Sequence, residues 1–244
     1  MKRILPFIII LAVLGTAVGS AWYFTRPDAK PVTPAPAPAT PASAQTNSAS
    51  PTTTQPPTQP VANRGIPGAE PAHMLGTATA PIQLEEFGDF ECPPCGIFHP
   101  ILEQMHEEFG DRLAITFREF PLVPTHQHAL AAASAAEAAG IQGKFWPMHD
   151  LLYERQKDWK TAFDVRPVFE SYAKEIGVDV ERYKRDMGGD LVAQRIFQDG
   201  KRGHSLGVKG TPTVFVNGRE VAFEDLPAEK LRLVIQKELE AIKK

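Results

Sequence analysis

Two side chains in this sequence can carry electrons, and only Pro93 and Pro94 separate them: Cys92 and Cys95, the chain's two cysteines. A cysteine at the start of a helix sits beside unpaired backbone amides and the positive end of the helix dipole, and both favour its thiolate. A second cysteine one turn further on can attack a mixed disulfide formed on the first, so the pair can oxidise or reduce a substrate by exchange. On this reading Cys92 is the exposed nucleophile and Cys95 the resolving thiol. The thiols carry the electrons themselves, so no cofactor is implied. Metal binding is the competing chemistry. His99, four residues after Cys95, adds a third ligand, but a tetrahedral site needs a fourth. None of His73, His106, His126, His128, His149 and His204 stands at a finger spacing. Covalent haem attachment fails because Gly96, not histidine, follows Cys95.

The elements around the cysteines must present them. Pro81-Ile82-Gln83-Leu84-Glu85-Glu86-Phe87 predicts a strand with Ile82, Leu84 and Glu86 on one face. That face desolvates Glu86 and predicts a raised carboxyl pKa. A helix follows from Cys92, with Pro93 at its first position and Ile97, Ile101, Leu102, Met105 and Phe109 along one side. Leu113 to Phe120 is the next strand, and strand, helix, strand in this length predicts a right-handed parallel βαβ unit. Helices are predicted from about His126 to Gly140, Trp146 to Gln156, Arg166 to Ile176, Val180 to Met187 and Asp190 to Leu206, with Asp164, Asp179 and Gly207 as boundaries. Asn217-Gly218 between Thr213–Val216 and Arg219–Phe223 is a two-residue hairpin turn. Pro227 to Lys244 closes the chain as an amphipathic helix.

The 244 residues fit one globular domain plus a long non-globular start. Residues 1–3 are cationic and expected to stay in the cytoplasm; residues 4–25 are apolar enough to span a bilayer or to serve as a cleaved export signal. Residues 26–64 form a Pro/Ala/Thr-rich linker holding ten of the 23 prolines, too poor in large apolar side chains to fold. The folded part is expected over 65–244, with a helical insert at about 125–206. A net charge of -3 and a pI near 6.2 argue against a nucleic-acid partner.

Glu86-Phe87-Gly88-Asp89-Phe90-Glu91-Cys92-Pro93-Pro94-Cys95, the later Gly210-Thr211-Pro212-Thr213 and the helical block between them resemble the DsbA-like thiol-disulfide oxidoreductases of the thioredoxin superfamily, in their membrane-anchored, extracytoplasmic branch. Phe117-Arg118-Glu119-Phe120-Pro121-Leu122 and Gly143-Lys144-Phe145-Trp146-Pro147-Met148-His149 share in the resemblance. It implies an α/β thioredoxin-like fold, βαβ then ββα, with a multi-helix insertion between the halves. It also implies Pro212 as a cis-proline against the cysteine pair, Thr211 as a substrate-binding backbone, and Glu86 as a buried acid that moves protons for Cys95. The implied activity is disulfide donation to reduced cysteines of exported proteins, with recharging by a membrane redox partner and the lipid bilayer as anchor. A membrane-fed reductase or isomerase is the alternative; a metal-binding or assembly module using Cys92, Cys95 and His99 is one of another class. Pro93-Pro94 replaces the proline-histidine pair of the best-known members, which predicts a less acidic Cys92 and a less oxidising disulfide.

Other residues read as structural. Phe145, Trp146 and Trp159 are assigned to core, His126 and His128 to capping or solvating the alanine helix, and Arg118 with Glu119 to a local ion pair of little consequence.

Overall fold

A computed structural model describes residues 66–243. The expected cytoplasmic start, anchor or signal, and linker over 1–64 lie outside the described residues. Among the described residues no helix is long and apolar enough to cross a membrane.

Five strands form one mixed sheet: β1 (His73–Leu75), β2 (Ile82–Gly88), β3 (Leu113–Glu119), β4 (Thr213–Val216) and β5 (Arg219–Val221), in the order β1-β3-β2-β4-β5. β2 and β3 are parallel, joined by helix α1 (Pro93–Phe109), and every other pairing is antiparallel. The insert comprises α2 (Ala129–Ile141), α3 (Phe145–Glu154), α4 (Gln156–Trp159), α5 (Arg166–Glu175), α6 (Val180–Met187) and α7 (Asp190–Leu206); α8 (Ala228–Ile242) ends the domain. This is the α/β thioredoxin-like arrangement with a helical insertion.

Burial explains why a helix beginning Pro-Pro-Cys-Gly holds. Its poor formers stand in the first turn, where missing amide hydrogens cost nothing. Phe98, Leu102, Met105 and Phe109 pack with Ile82 and Leu84 of β2 and Leu231 and Ile235 of α8, each side chain contributing roughly 1.5–3 kcal/mol on burial. In α2, Ala132, Ala133, Ala135, Ala136, Ala138 and Ala139 are all buried, and this small-residue surface lets α3, α5, α6 and α7 approach it. The Asn217-Gly218 turn has positive φ at both residues, 47° and 73°, as a twisted two-residue hairpin requires.

Several expectations need correction. β1 went unread because three residues are too few to show a period. The alanine helix starts at Ala129 rather than His126, since His126 and His128 are held elsewhere: His126 Nδ1 lies 2.7 Å from Asp89 Oδ2, and His128 Nε2 lies 2.9 Å from the Ala162 carbonyl. The helix expected over Trp146 to Gln156 ends at Glu154, and α4 restarts at Gln156. Arg118 and Glu119 do not pair, because neighbours in a strand face opposite ways. Arg118 instead donates to Glu85 Oε1 at 2.8 Å, Asp199 Oδ1 at 3.1 Å and the Ala69 carbonyl at 2.8 Å. It therefore joins β2 and α7 across the sheet. Phe145 and Trp159 are buried in the insert's core, as assigned.

Candidate active site

The site is built where β2 ends and α1 begins. At Gly88 a Cβ would lie 2.4 Å from the Phe117 ring and 2.9 Å from the Tyr153 hydroxyl, so only glycine fits. The chain then turns on Asp89, whose carboxylate accepts from the amides of Glu91 and Leu122, each at 2.8 Å. The Cys92 amide donates to the Asp89 carbonyl at 3.0 Å. Cys92 is extended, with φ -68° and ψ 120°, and α1 starts at the next residue.

Both cysteines are free thiols. The loop before β4 comes over them: the Cys92 thiol donates to the Thr211 carbonyl at 3.2 Å, although 119 positions separate the two residues. The Thr211-Pro212 peptide is cis. Cys92, expected to be exposed, is only 4% exposed, with the Thr211 carbonyl against its sulfur; Cys95 is fully buried.

Environment drives the two thiols apart. Hydrogen bonding from Cys95 outweighs burial and lowers Cys92 to about 6. Burial, the hydrogen bond to Cys92 and the charge of Glu86 push Cys95 well above the usual thiol range. Glu86 is 2% exposed beneath them, and burial, helped by the Cys92 charge, raises it to about 8. At neutral pH the group thus holds a Cys92 thiolate, a Cys95 thiol and a largely protonated Glu86.

Cys92, Cys95, Glu86, Thr211 and Pro212 therefore meet at one end of the sheet. His99 does not join them. Its ring stacks on Tyr153 and meets His149 edge to face at 5.3 Å. Among the described residues neither cysteine belongs to a group of three close metal ligands, so the proposed Cys92, Cys95 and His99 ligand set is not assembled. The aromatic side chains of α3 draw the imidazole away.

The structure adds residues the sequence reading missed. The Gln156 side-chain amide donates to the carbonyls of Phe90 at 2.7 Å and Cys92 at 2.9 Å. Glu91 accepts the His128 amide, and Tyr153 is buried with its hydroxyl unpartnered. Asp89 had a signal, an Asx-type turn former before a helix. A lone glutamine after a helix had none.

The thioredoxin family's sequence profile matches residues 69–237. The chain belongs to the thioredoxin family. BdbD from Bacillus subtilis superposes with a TM-score of 0.63 at 24% identity, covering 73% of this chain and 100% of that one. A thioredoxin-like oxidoreductase from Silicibacter pomeroyi gives 0.60 at 25% identity over 70% and 94%, and α-DsbA1 from Wolbachia pipientis 0.60 at 19% over 72% and 95%. Among curated proteins, a Na(+)/H(+) antiporter NhaA 1 from Salinispora arenicola is 40% identical over 147 residues, 60% of this chain and 22% of that protein. One from Mycolicibacterium vanbaalenii is 36% identical over 66% of this chain and 26% of its own. The chain thus spans about a quarter of the length of these curated relatives. The family and the paired cysteines are those of a thiol-disulfide exchange oxidoreductase, and the fold with its helical insertion matches that of BdbD and α-DsbA1.

Proposed function

We propose that the chain is an extracytoplasmic oxidase that donates a Cys92-Cys95 disulfide to reduced cysteines of exported proteins. The observation that carries this reading is the split between an acidic Cys92 and a far less acidic Cys95 at the start of α1. A stabilised Cys92 thiolate favours the reduced enzyme, and that makes the disulfide an oxidant.

A substrate thiolate attacks Cys92 Sγ, the Cys92-Cys95 bond breaks, and Cys95 leaves with the electron pair. Glu86 holds a proton at neutral pH and supplies it to Cys95. The substrate's second thiolate then attacks the substrate sulfur of the mixed disulfide and expels Cys92 as a thiolate. The substrate loses two electrons and two protons; the enzyme gains the electrons, and a membrane redox partner takes them. Thr211 and Pro212 position the extended substrate segment. Beside them Pro94, Ile97, Ile101, Phe223 and Leu226 line an apolar cleft of about 310 Å³. Ile97 and Phe223 are 70% and 63% exposed there, as a surface receiving unfolded polypeptide would be.

Extracytoplasmic placement is supported by the apolar run over 4–25 and by the likeness to BdbD and α-DsbA1. Antiport is the named activity of relatives of whose length the chain matches only about a quarter. A Cys95→Ala variant should trap exported proteins as mixed disulfides, while wild-type chain in the cell should rest oxidised. Trapped adducts with a resting dithiol would reverse the direction to a reductase or isomerase. No adducts at all would remove the reading.

A further inference from the structure

Away from the cysteines, α1 and α3 enclose a second cleft of about 180 Å³, whose titratable lining is His99, His106 and His149 with Glu103, Glu107 and Asp150. Among the described residues no lysine or arginine lines it. A donor atom from each of His99, His149 and Asp150 lies within 4.8 Å of the other two. His99 and His149 are buried, their side chains 6% and 4% exposed, and the Nε2 of each lacks a hydrogen-bond partner. Unpartnered buried nitrogens cost free energy unless something occupies them. His149 Nδ1 stands 2.9 Å from Asp150 Oδ1, so two of the three donor side chains already lie side by side.

We infer that His99, His149 and Asp150 form a binding site for a divalent transition-metal ion, Zn²⁺ by preference, with Glu103 completing the coordination. The donor set suits that ion: imidazole and carboxylate, four ligands in all, on two facing helices. Glu103 Oε1 stands 3.8 Å from His99 Nε2. Tetrahedral zinc with bonds of about 2.0–2.1 Å places its donors about 3.3 Å apart, so the cluster must draw in by roughly 1.5 Å at its widest. The side chains able to move are the accessible ones, Asp150 at 41% and Glu103 at 54% exposed. Bound there, the ion would tie the active-site helix to the insert one turn beyond Cys95.

The test is titration of the full chain with Co²⁺, followed by competition with Zn²⁺, after oxidation of Cys92 and Cys95 so that neither thiol can ligate. The expected result is one Co²⁺ per chain, with visible ligand-field absorption, no sulfur-to-cobalt band, and displacement by Zn²⁺. Asp150→Asn, at an accessible position, should weaken binding by about tenfold or more. His99→Gln should remove it, and Zn²⁺ should raise the melting temperature of the wild-type chain but not of His99→Gln. Should His99→Gln fail to fold, Glu103→Gln paired with Asp150→Asn gives the same readout from the accessible side. An oxidised wild-type chain that takes up no Co²⁺, or uptake indifferent to Asp150→Asn and Glu103→Gln, overturns the proposal and leaves the imidazoles as core.

Discussion

Replacing Glu86 with glutamine keeps the shape of the buried group and removes its titration. Burial raises Glu86 from its ordinary 4.5 to about 8, so the folded chain holds a proton that the unfolded chain releases. The sign follows: this proton stabilises the fold fully below pH 4.5, and the stabilisation is lost as the pH rises towards 8. Each pH unit between the two values is worth about 1.4 kcal/mol. Wild type should therefore lose about 3 kcal/mol relative to Glu86→Gln between pH 5 and pH 8. Urea unfolding of the disulfide form, followed through the fluorescence of buried Trp159, measures the difference. Oxidation removes the Cys92 charge, so burial, the larger cause, is what the assay reads. Equal m-values in the two proteins would show that the unfolded ensembles match. A stability difference constant to within about 0.5 kcal/mol from pH 5 to 8 would refute the argument, because it would mean that Glu86 is hydrated or already paired.

Iodoacetamide should alkylate Cys92 with a midpoint near pH 6, while Cys95 stays unmodified through pH 9; a Cys92 midpoint at 8 or above would contradict the hydrogen bonding assigned to it. That midpoint sits above the roughly 3.5 of the most acidic such thiols, in keeping with two prolines that offer no donor. Gln156→Leu strips the Phe90 carbonyl of its side-chain donor and leaves the Cys92 carbonyl with the Gly96 amide alone, and should destabilise the chain by about 2 kcal/mol, measured by urea unfolding; a neutral result would show that water replaces the amide. Arg118→Met leaves Asp199, 1% exposed, without its guanidinium, and should cost about 3–5 kcal/mol at pH 7. A loss under about 1 kcal/mol there would mean that the network adds little.

Local rules made much of the fold readable. Val180–Met187 and Asp190–Leu206 fall where the sequence places them, because Asp179 caps one helix by accepting the Arg182 amide and Gly207 ends the other at φ 84°. The Asn217-Gly218 hairpin and the β2-α1-β3 unit follow from short-range patterns in the same way. Boundaries failed where a distant partner intervened. His126 is claimed by Asp89, 37 residues away, so the alanine helix cannot begin there. Arg118 is claimed by Asp199, 81 residues away, and its role as a link between layers is invisible in a strand read alone.

The same division runs through the candidate site. Residue type and spacing alone picked out Cys92 and Cys95 and the strand face that buries Glu86, because helix starts and strand alternation are properties of neighbouring residues. The directions in which Cys92 and Glu86 move followed from those neighbours too, whereas only the tertiary structure decided that Cys95 moves the opposite way to Cys92 and which contacts cause each shift. The Thr211 carbonyl over Cys92, the Gln156 amide on the turn before α1 and the desolvation of Cys95 and Glu86 all come from packing between distant segments. His99 shows the limit most plainly: its spacing from Cys95 suggested a partner for sulfur, yet the aromatic side chains of α3 give its ring a better-packed place beside His149.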